Sequence, residues 1–257
     1  MRYGRVIERL VGYDIRYITI LRVMGTELNR LIITKNWEYV TQHISRKPQE
    51  ASSWSIRPGF FEGVRESKLL PIHQCCALDP PESLLKELYR ANPKSVKCLE
   101  TAYKRNPLHI ATRYNAKPAV VRFLVTVYPK GAGEEDILGR LPIHYSCSNG
   151  APTEQIELLL NACPGGSRAF DKRGWLPLHV ACSVGADPIV IQRLLEIFPE
   201  SVVINTNKGS NALKCCEMAE GSPNTPTNIA LVTQMIQKIR SQDKRPAAKP
   251  TEIREVV

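Results

Sequence analysis

A chain of 257 residues with 43% hydrophobic side chains is long enough for a substantial folded core, and no stretch of it approaches the ~20 apolar residues that a membrane-crossing helix requires. The formal net charge of +10 raises nucleic acid or an anionic membrane as a partner. The excess is spread, however: residues 1–69 hold 12 basic and 7 acidic side chains, 70–210 hold 16 and 13, and 211–257 hold 7 and 5, which argues against a basic groove and for a mixed, solvated surface.

Residues 1–25 combine Arg2, Arg5, Arg9, Arg16 and Arg22 with Val6, Ile7, Leu10 and Ile15. Mitochondrial leaders are arginine-rich and amphipathic but avoid acids, and this segment carries Glu8 and Asp14, so it is expected to be a disordered extension or an extra packing element. Residues 26–51 form two apolar helical faces, Leu28, Leu31, Ile32 and then Trp37, Val40, Ile44, spaced for two helices. The insertion from 52 to 68 holds Trp54, Pro58, Gly59, Phe60, Phe61 and Gly63. Exposed aromatics dominate interfaces, but large apolar side chains more often find burial in their own chain, so this loop is expected to cover the first unit.

From residue 70 onward the chain repeats. Leu70-Pro71-Ile72-His73, Asn106-Pro107-Leu108-His109, Leu141-Pro142-Ile143-His144 and Leu176-Pro177-Leu178-His179 recur at proline steps of 36, 35 and 35, and Asn211-Ala212-Leu213-Lys214 continues the period after a further 35. Pro93, Pro129, Pro164 and Pro199 run in phase with them, and Pro81, Pro118, Pro152 and Pro188 open the apolar runs between the two series. A fixed period of this size marks stacked supersecondary units. Proline at the first helical position starts a short helix, because the donor it lacks would have had no partner there. Glycine, asparagine and alanine break that helix, a second helix follows, and the phased proline stops it because its predecessor is pushed out of the helical region. Asp136-Ile137-Leu138-Gly139 and Asp171-Lys172-Arg173-Gly174 then read as turns. Units are expected at 70–105, 106–140, 141–175 and 176–210. A capping unit is expected at 211–240, where a second helix from Thr225 to Arg240 is polar enough to face water, and a disordered tail at 241–257.

Turn, helix, break, helix at about 35 residues resembles the ankyrin repeat, whose signature is Thr-Pro-Leu-His with a following alanine. The resemblance covers roughly residues 70–216 and implies an all-α, ankyrin-like solenoid of helix-turn-helix repeats. It departs from the family where threonine is replaced by Leu70, Leu141 and Leu176, which cannot cap a helix, a loss of ~1 kcal/mol each. Residues 26–69 are expected to be a degenerate N-terminal capping repeat with its loop.

Candidate chemistry is sparse. His73 with Cys76, His144 with Cys147 and His179 with Cys182 have a spacing a metal could use, but each unit offers two ligands where zinc needs about four; no metal and no cofactor are expected. The resemblance assigns these histidines a structural role, bonding backbone near the turns. Cys75, Cys76, Cys147, Cys182, Cys215 and Cys216 are read as small packing residues of the first helices. With no signal peptide evident, they point to a reducing, intracellular compartment, cytoplasmic or nuclear. No oriented base, oxyanion site or phosphate loop accompanies the thiols, so no catalytic site is expected.

The resemblance implies protein binding along the face built from turns and first helices. On that face the residue before each motif and its neighbouring turn supply Tyr103, Arg105, Leu138, Arg140, Arg173 and Trp175, of types enriched in interface hot spots. The expected function is a monomeric, non-enzymatic scaffold or adaptor whose partner segment has acidic and apolar character, since arginine takes carboxylates bidentately. The alternative is a basic solenoid docking on nucleic acid or an anionic membrane surface, and a third is a scaffold whose terminal arms target or assemble it.

Overall fold

The computed structural model describes residues 25–58 and 66–243. Twelve helices there form two rows. The inner row is α1 (Glu27–Ile33), α3 (Pro71–Cys76), α5 (Pro107–Arg113), α7 (Pro142–Ser148), α9 (Pro177–Ser183) and α11 (Ala212–Glu217); the outer row is α2 (Trp37–Arg46), α4 (Glu82–Ala91), α6 (Pro118–Val127), α8 (Thr153–Ala162), α10 (Pro188–Ile197) and α12 (Thr225–Asp243). Each inner helix packs on the next inner helix, each outer on the next outer, and each pair on itself. Helix-turn-helix units therefore stack in sequence, as the 35-residue period requires.

The proline series explain the element boundaries. Pro107, Pro142 and Pro177 occupy the first positions of α5, α7 and α9. Each outer helix from α4 to α10 ends two residues before its phased proline, and the residue between, Asn92, Tyr128, Cys163 or Phe198, has left the helical region, at φ −139 to −148° and ψ 74 to 84°, because the proline ring disfavours helix there. The prolines do more than stop helices: each opens a short 3-10 turn, Pro93–Lys97, Pro129–Gly133, Pro164–Arg168 and Pro199–Val202, a feature the periodicity does not reveal.

The core runs the length of the stack between the rows. Leu84, Leu85 and Leu88 of α4, Val120, Val121 and Leu124 of α6, Ile156 and Leu159 of α8 and Val190, Ile191 and Leu194 of α10 are buried against the inner helices. Shortening any one of these leucines to alanine would cost about 2–5 kcal/mol. The inner helices contribute small side chains at their closest approach, among them Cys75, Cys76, Ala111, Cys147, Ala181, Cys182 and Cys216, all buried. Burial raises the thiol pKa of Cys147 to about 12 and that of Cys215 to about 11, so these two stay protonated and act as apolar filler.

Two elements depart from an all-helical stack. Residues 55–58 and 66–69 pair as antiparallel strands β1 (Ser55–Pro58) and β2 (Glu66–Leu69), with Ser55 opposite Leu69 and Arg57 opposite Ser67, so the insertion is a hairpin where a loop was expected. Trp54, at its base, stays about half exposed and tilts against the His73 ring at 6.2 Å. Phe60, Phe61 and the glycines of this insertion, the extension over 1–24 and the tail from 244 lie outside the described residues. The last helix starts at Thr225, whose hydroxyl donates to the Ala219 carbonyl at 2.7 Å, and runs on to Asp243, past the expected end at Arg240.

Candidate binding face

Four turns line up along one side of the stack. In each, one side chain organises the loop from beneath. The Asp136 Oδ1 accepts from the amides of Leu138 (2.8 Å) and Arg140 (3.1 Å), and Asp171 Oδ1 accepts from those of Arg173 (2.8 Å) and Trp175 (2.9 Å). Glu100 does the same with Ala102, Tyr103 and Arg105, and Thr206 with Ser210. The left-handed residue each turn needs is Lys104, Gly139, Gly174 or Gly209, at φ between 57 and 74°, a region glycine enters without strain.

Successive tips are joined backbone to backbone. Thr101 donates to the Lys68 carbonyl, Ile137 to Tyr103, Lys172 to Leu138 and Asn207 to Arg173, at 2.9–3.2 Å. Strand β2 is thus the first member of a ladder that continues through all four turns. The histidines brace the ladder. Their Nδ1 atoms face the amides of Leu70, Asn106, Leu141 and Leu176 at 3.0–3.4 Å, with the Asn106 side-chain oxygen also 2.9 Å from that of His109, and each Nε2 faces a carbonyl, which assigns the proton to Nε2. That nitrogen donates to Cys98, Arg140, Ala169 and Ile204 carbonyls, respectively, in the turns that follow. The leucines accordingly make no side-chain cap; the histidine three residues on satisfies the capping residue's amide instead. Burial, partly offset by these bonds, lowers the His73 and His109 pKa values to about 4, so the rings are neutral. Both nitrogens are committed to backbone, and among the described residues no group of three His, Cys, Asp or Glu side chains is placed to hold a metal ion.

The second carboxylate oxygens build an ion-pair ladder that the sequence reading overlooked. Arg105 Nε donates to Asp136 Oδ2 and Arg140 Nε to Asp171 Oδ2, each at 3.2 Å. Both pairs are 31 residues apart, so the arginine before one motif always reaches the acid of the next turn. At the third link Trp175 and Thr206 replace arginine and acid, and the ladder ends. Asp136 is desolvated, which raises its pKa, but the Tyr145 hydroxyl, the two turn amides and Arg105 outweigh that and hold it below the usual carboxylate value.

The six expected contact residues therefore fall into two groups. Arg105 is 1% exposed: its Nη2 donates to the Tyr145 hydroxyl at 2.8 Å and its plane lies 4.2 Å from the Tyr103 ring. It cannot present its guanidinium to a partner as expected, because a charge taken out of water must be paired within the fold, and the half-buried Tyr103 ring packs against it. Arg140 keeps a quarter of its side chain exposed, Leu138 is 38% exposed, Arg173 is exposed and Trp175 half-exposed. The Trp175 ring stands edge-on to His179 at 6.3 Å.

Two residues not singled out from the sequence complete the arrangement. Tyr145 lies under the middle of the face with the guanidiniums of Arg105, Arg113 and Arg140 at 5.0, 5.3 and 5.6 Å from its ring centroid. The fold so brings Arg105 and Arg140 together around one ring, and links Arg173 and Trp175 to them through Asp171. Their signal was present in the register: Tyr145 follows the motif histidine and Arg113 ends the first helix, but neither type recurs in other units. Apart from Arg113, Ser148 and Ser183 at their ends, α5, α7 and α9 are buried, so the accessible side chains on this side sit on turn tips and helix ends.

The family model of ankyrin repeats matches residues 72–167, in three copies. No curated protein matches the chain.

Proposed function

We propose, from the premise that residues 72–167 are ankyrin repeats, that this chain is a non-enzymatic adaptor which holds a partner protein along its turn tips. Ankyrin repeats are generally protein-interaction modules, typically non-catalytic. The observation that carries the finer proposal is the row Leu138, Arg140, Arg173 and Trp175: two cations and two apolar side chains on adjacent tips whose backbones are locked together. A rigid mount lowers the ordering cost of binding. The partner segment is acidic and apolar. Tyr103 and Arg105 serve the row from below by fixing the tip that carries Arg140. Eight unpaired thiols suit a reducing compartment, and we place the protein inside the cell. No helix among the described residues is long and apolar enough to cross a membrane.

The test compares the proteins retained by the wild-type chain and by an Arg140→Ala, Trp175→Ala variant of equal helicity and melting behaviour. Partners lost only from the variant support the row; identical recovery at unchanged affinity refutes it.

A further inference from the structure

Counting charge along the sequence hides how it is placed in space. Of the acids between 70 and 210, Glu100, Asp136 and Asp171 are buried under the turns and committed to backbone amides. Acids of the outer row are matched by cations on the same row, as in Glu82 with Lys86, Glu87 with Arg90, Arg122 with Glu154 and Arg193 with Glu157. What remains at the tips is one-sided. Lys68, Lys104, Lys172, Arg173 and Lys208 are exposed and Arg140 is partly so, against the exposed acids Glu66 and Glu135. The basic stripe that the linear count argued against exists, because folding withdrew the acids and left the lysines outside.

We propose that this turn-tip edge is a cationic rail that selects an extended peptide segment carrying carboxylates at regular intervals. The proposal rests on the protein-binding reading above and specifies the partner's charge pattern. Stacked helices lie ~8–10 Å apart, and the inter-tip backbone bonds tie the tips to that spacing, so the rail offers about one or two cations per step. A chain extended as polyproline II advances ~3.1 Å per residue with three residues per turn, so every third side chain returns to the same face about 9 Å further on. A carboxylate at about every third residue therefore meets one tip after another, and the residues between fall on the aliphatic Ile137 and Leu138. A single nucleic-acid strand fits less well. It would need a run of exposed ring faces, one for each base, for stacking, whereas the described tips offer scattered aromatics, Phe170 with the partly exposed Tyr103 and Trp175, and one face of Tyr103 is taken by Arg105.

The experiment uses the full chain and three labelled probes in fluorescence anisotropy: a blocked peptide of repeated Glu-Leu-Ala, a peptide of the same composition with its glutamates in one block, and a single-stranded RNA of equal charge. The expected result is preferential binding of the spaced peptide, weakening roughly fivefold or more between about 50 and 300 mM salt as screening sets in. The Lys68→Glu, Lys172→Glu, Lys208→Glu variant, shown to be folded by circular dichroism and thermal melting, weakens it about tenfold. Equal affinity for the peptide with its glutamates in one block, tighter binding of the RNA, indifference to the charge reversal, or no measurable binding of the spaced peptide each overturns the rail. The Arg140→Ala, Trp175→Ala comparison is scored separately on retained native partners: loss there with no effect of the lysine reversal removes the rail and leaves the adaptor reading standing.

Discussion

Replacing Arg105 by leucine separates a residue that builds the face from those that display it. The Arg105 and Asp136 side chains are 2% and 0% exposed, so the deletion leaves a buried carboxylate without its cation, a change that costs about 3–5 kcal/mol in general. Asp136 keeps its bonds to two amides and to the Tyr145 hydroxyl, which places the loss near the lower end. The lost stacking over Tyr103 and Tyr145 adds about 0.5–2 kcal/mol, for a total of ~3–5 kcal/mol. Arg140→Leu, at a pair a quarter open to water on the arginine side, should cost only about 1–2 kcal/mol. Arg173→Leu, at an exposed tip, should stay within about 0.5 kcal/mol of wild type. Equilibrium urea unfolding followed by circular dichroism reads all three, with the slope checked in each because a stack of units can lose two-state behaviour. An Arg105→Leu loss indistinguishable from that of Arg173→Leu would refute the account of the buried ladder.

Further outcomes follow from the same geometry. Gly174→Ala should cost well over 1 kcal/mol, because φ is +73° and the new methyl would stand 2.4 Å from Asn207 Oδ1 and 2.9 Å from its backbone nitrogen. Gly209→Ala, at φ +74° with nothing within 4 Å, carries the backbone strain alone, about 1 kcal/mol, and unfolding curves that rank the two the other way would contradict the ladder. Stability should fall as pH drops from about 6.5 to about 4: there the unfolded chain takes up protons that His73 and His109, with folded values near 4, refuse. Each contributes up to about 3 kcal/mol, and Asp136, whose pKa is lowered, adds its own loss only below the usual carboxylate value. Urea midpoints at pH 7 and pH 5 that coincide would rule this out. In the native protein a thiol reagent should label Cys98 and Cys163, the two half-buried cysteines, and reach all eight only on unfolding; rapid native modification of Cys182 or Cys216 would show that the inner row opens.

Much of the architecture was legible from residue spacing because it rests on local physics. Proline cannot sit in a helix interior and constrains its predecessor, so three phased proline series reported where helices start and stop. The buried fate of the cysteines was readable too, since they occupy small-residue positions along helices that have to approach closely. Short-range rules say nothing of the strand pair 55–58 and 66–69, which forms across an insertion of no repeating pattern, nor of the 3-10 turns that the helix-stopping prolines open.

The proposed binding face divides along the same line. That Leu138, Arg140, Arg173 and Trp175 recur once per unit beside a turn is a property of the one-dimensional repeat. Whether a given side chain at that register meets solvent depends on what lies 31 residues later. Arg105 finds Asp136 there, with the Tyr145 hydroxyl beside it, and is drawn inward, Arg140 finds Asp171 but stays partly open, and Trp175 finds Thr206, which offers no charge. The charge on the face was likewise settled by packing, because a carboxylate that organises a turn from beneath still counts in the composition while it leaves the surface. Periodicity names the positions on a solenoid; desolvation and pairing between neighbouring units decide which of them are left to meet a partner.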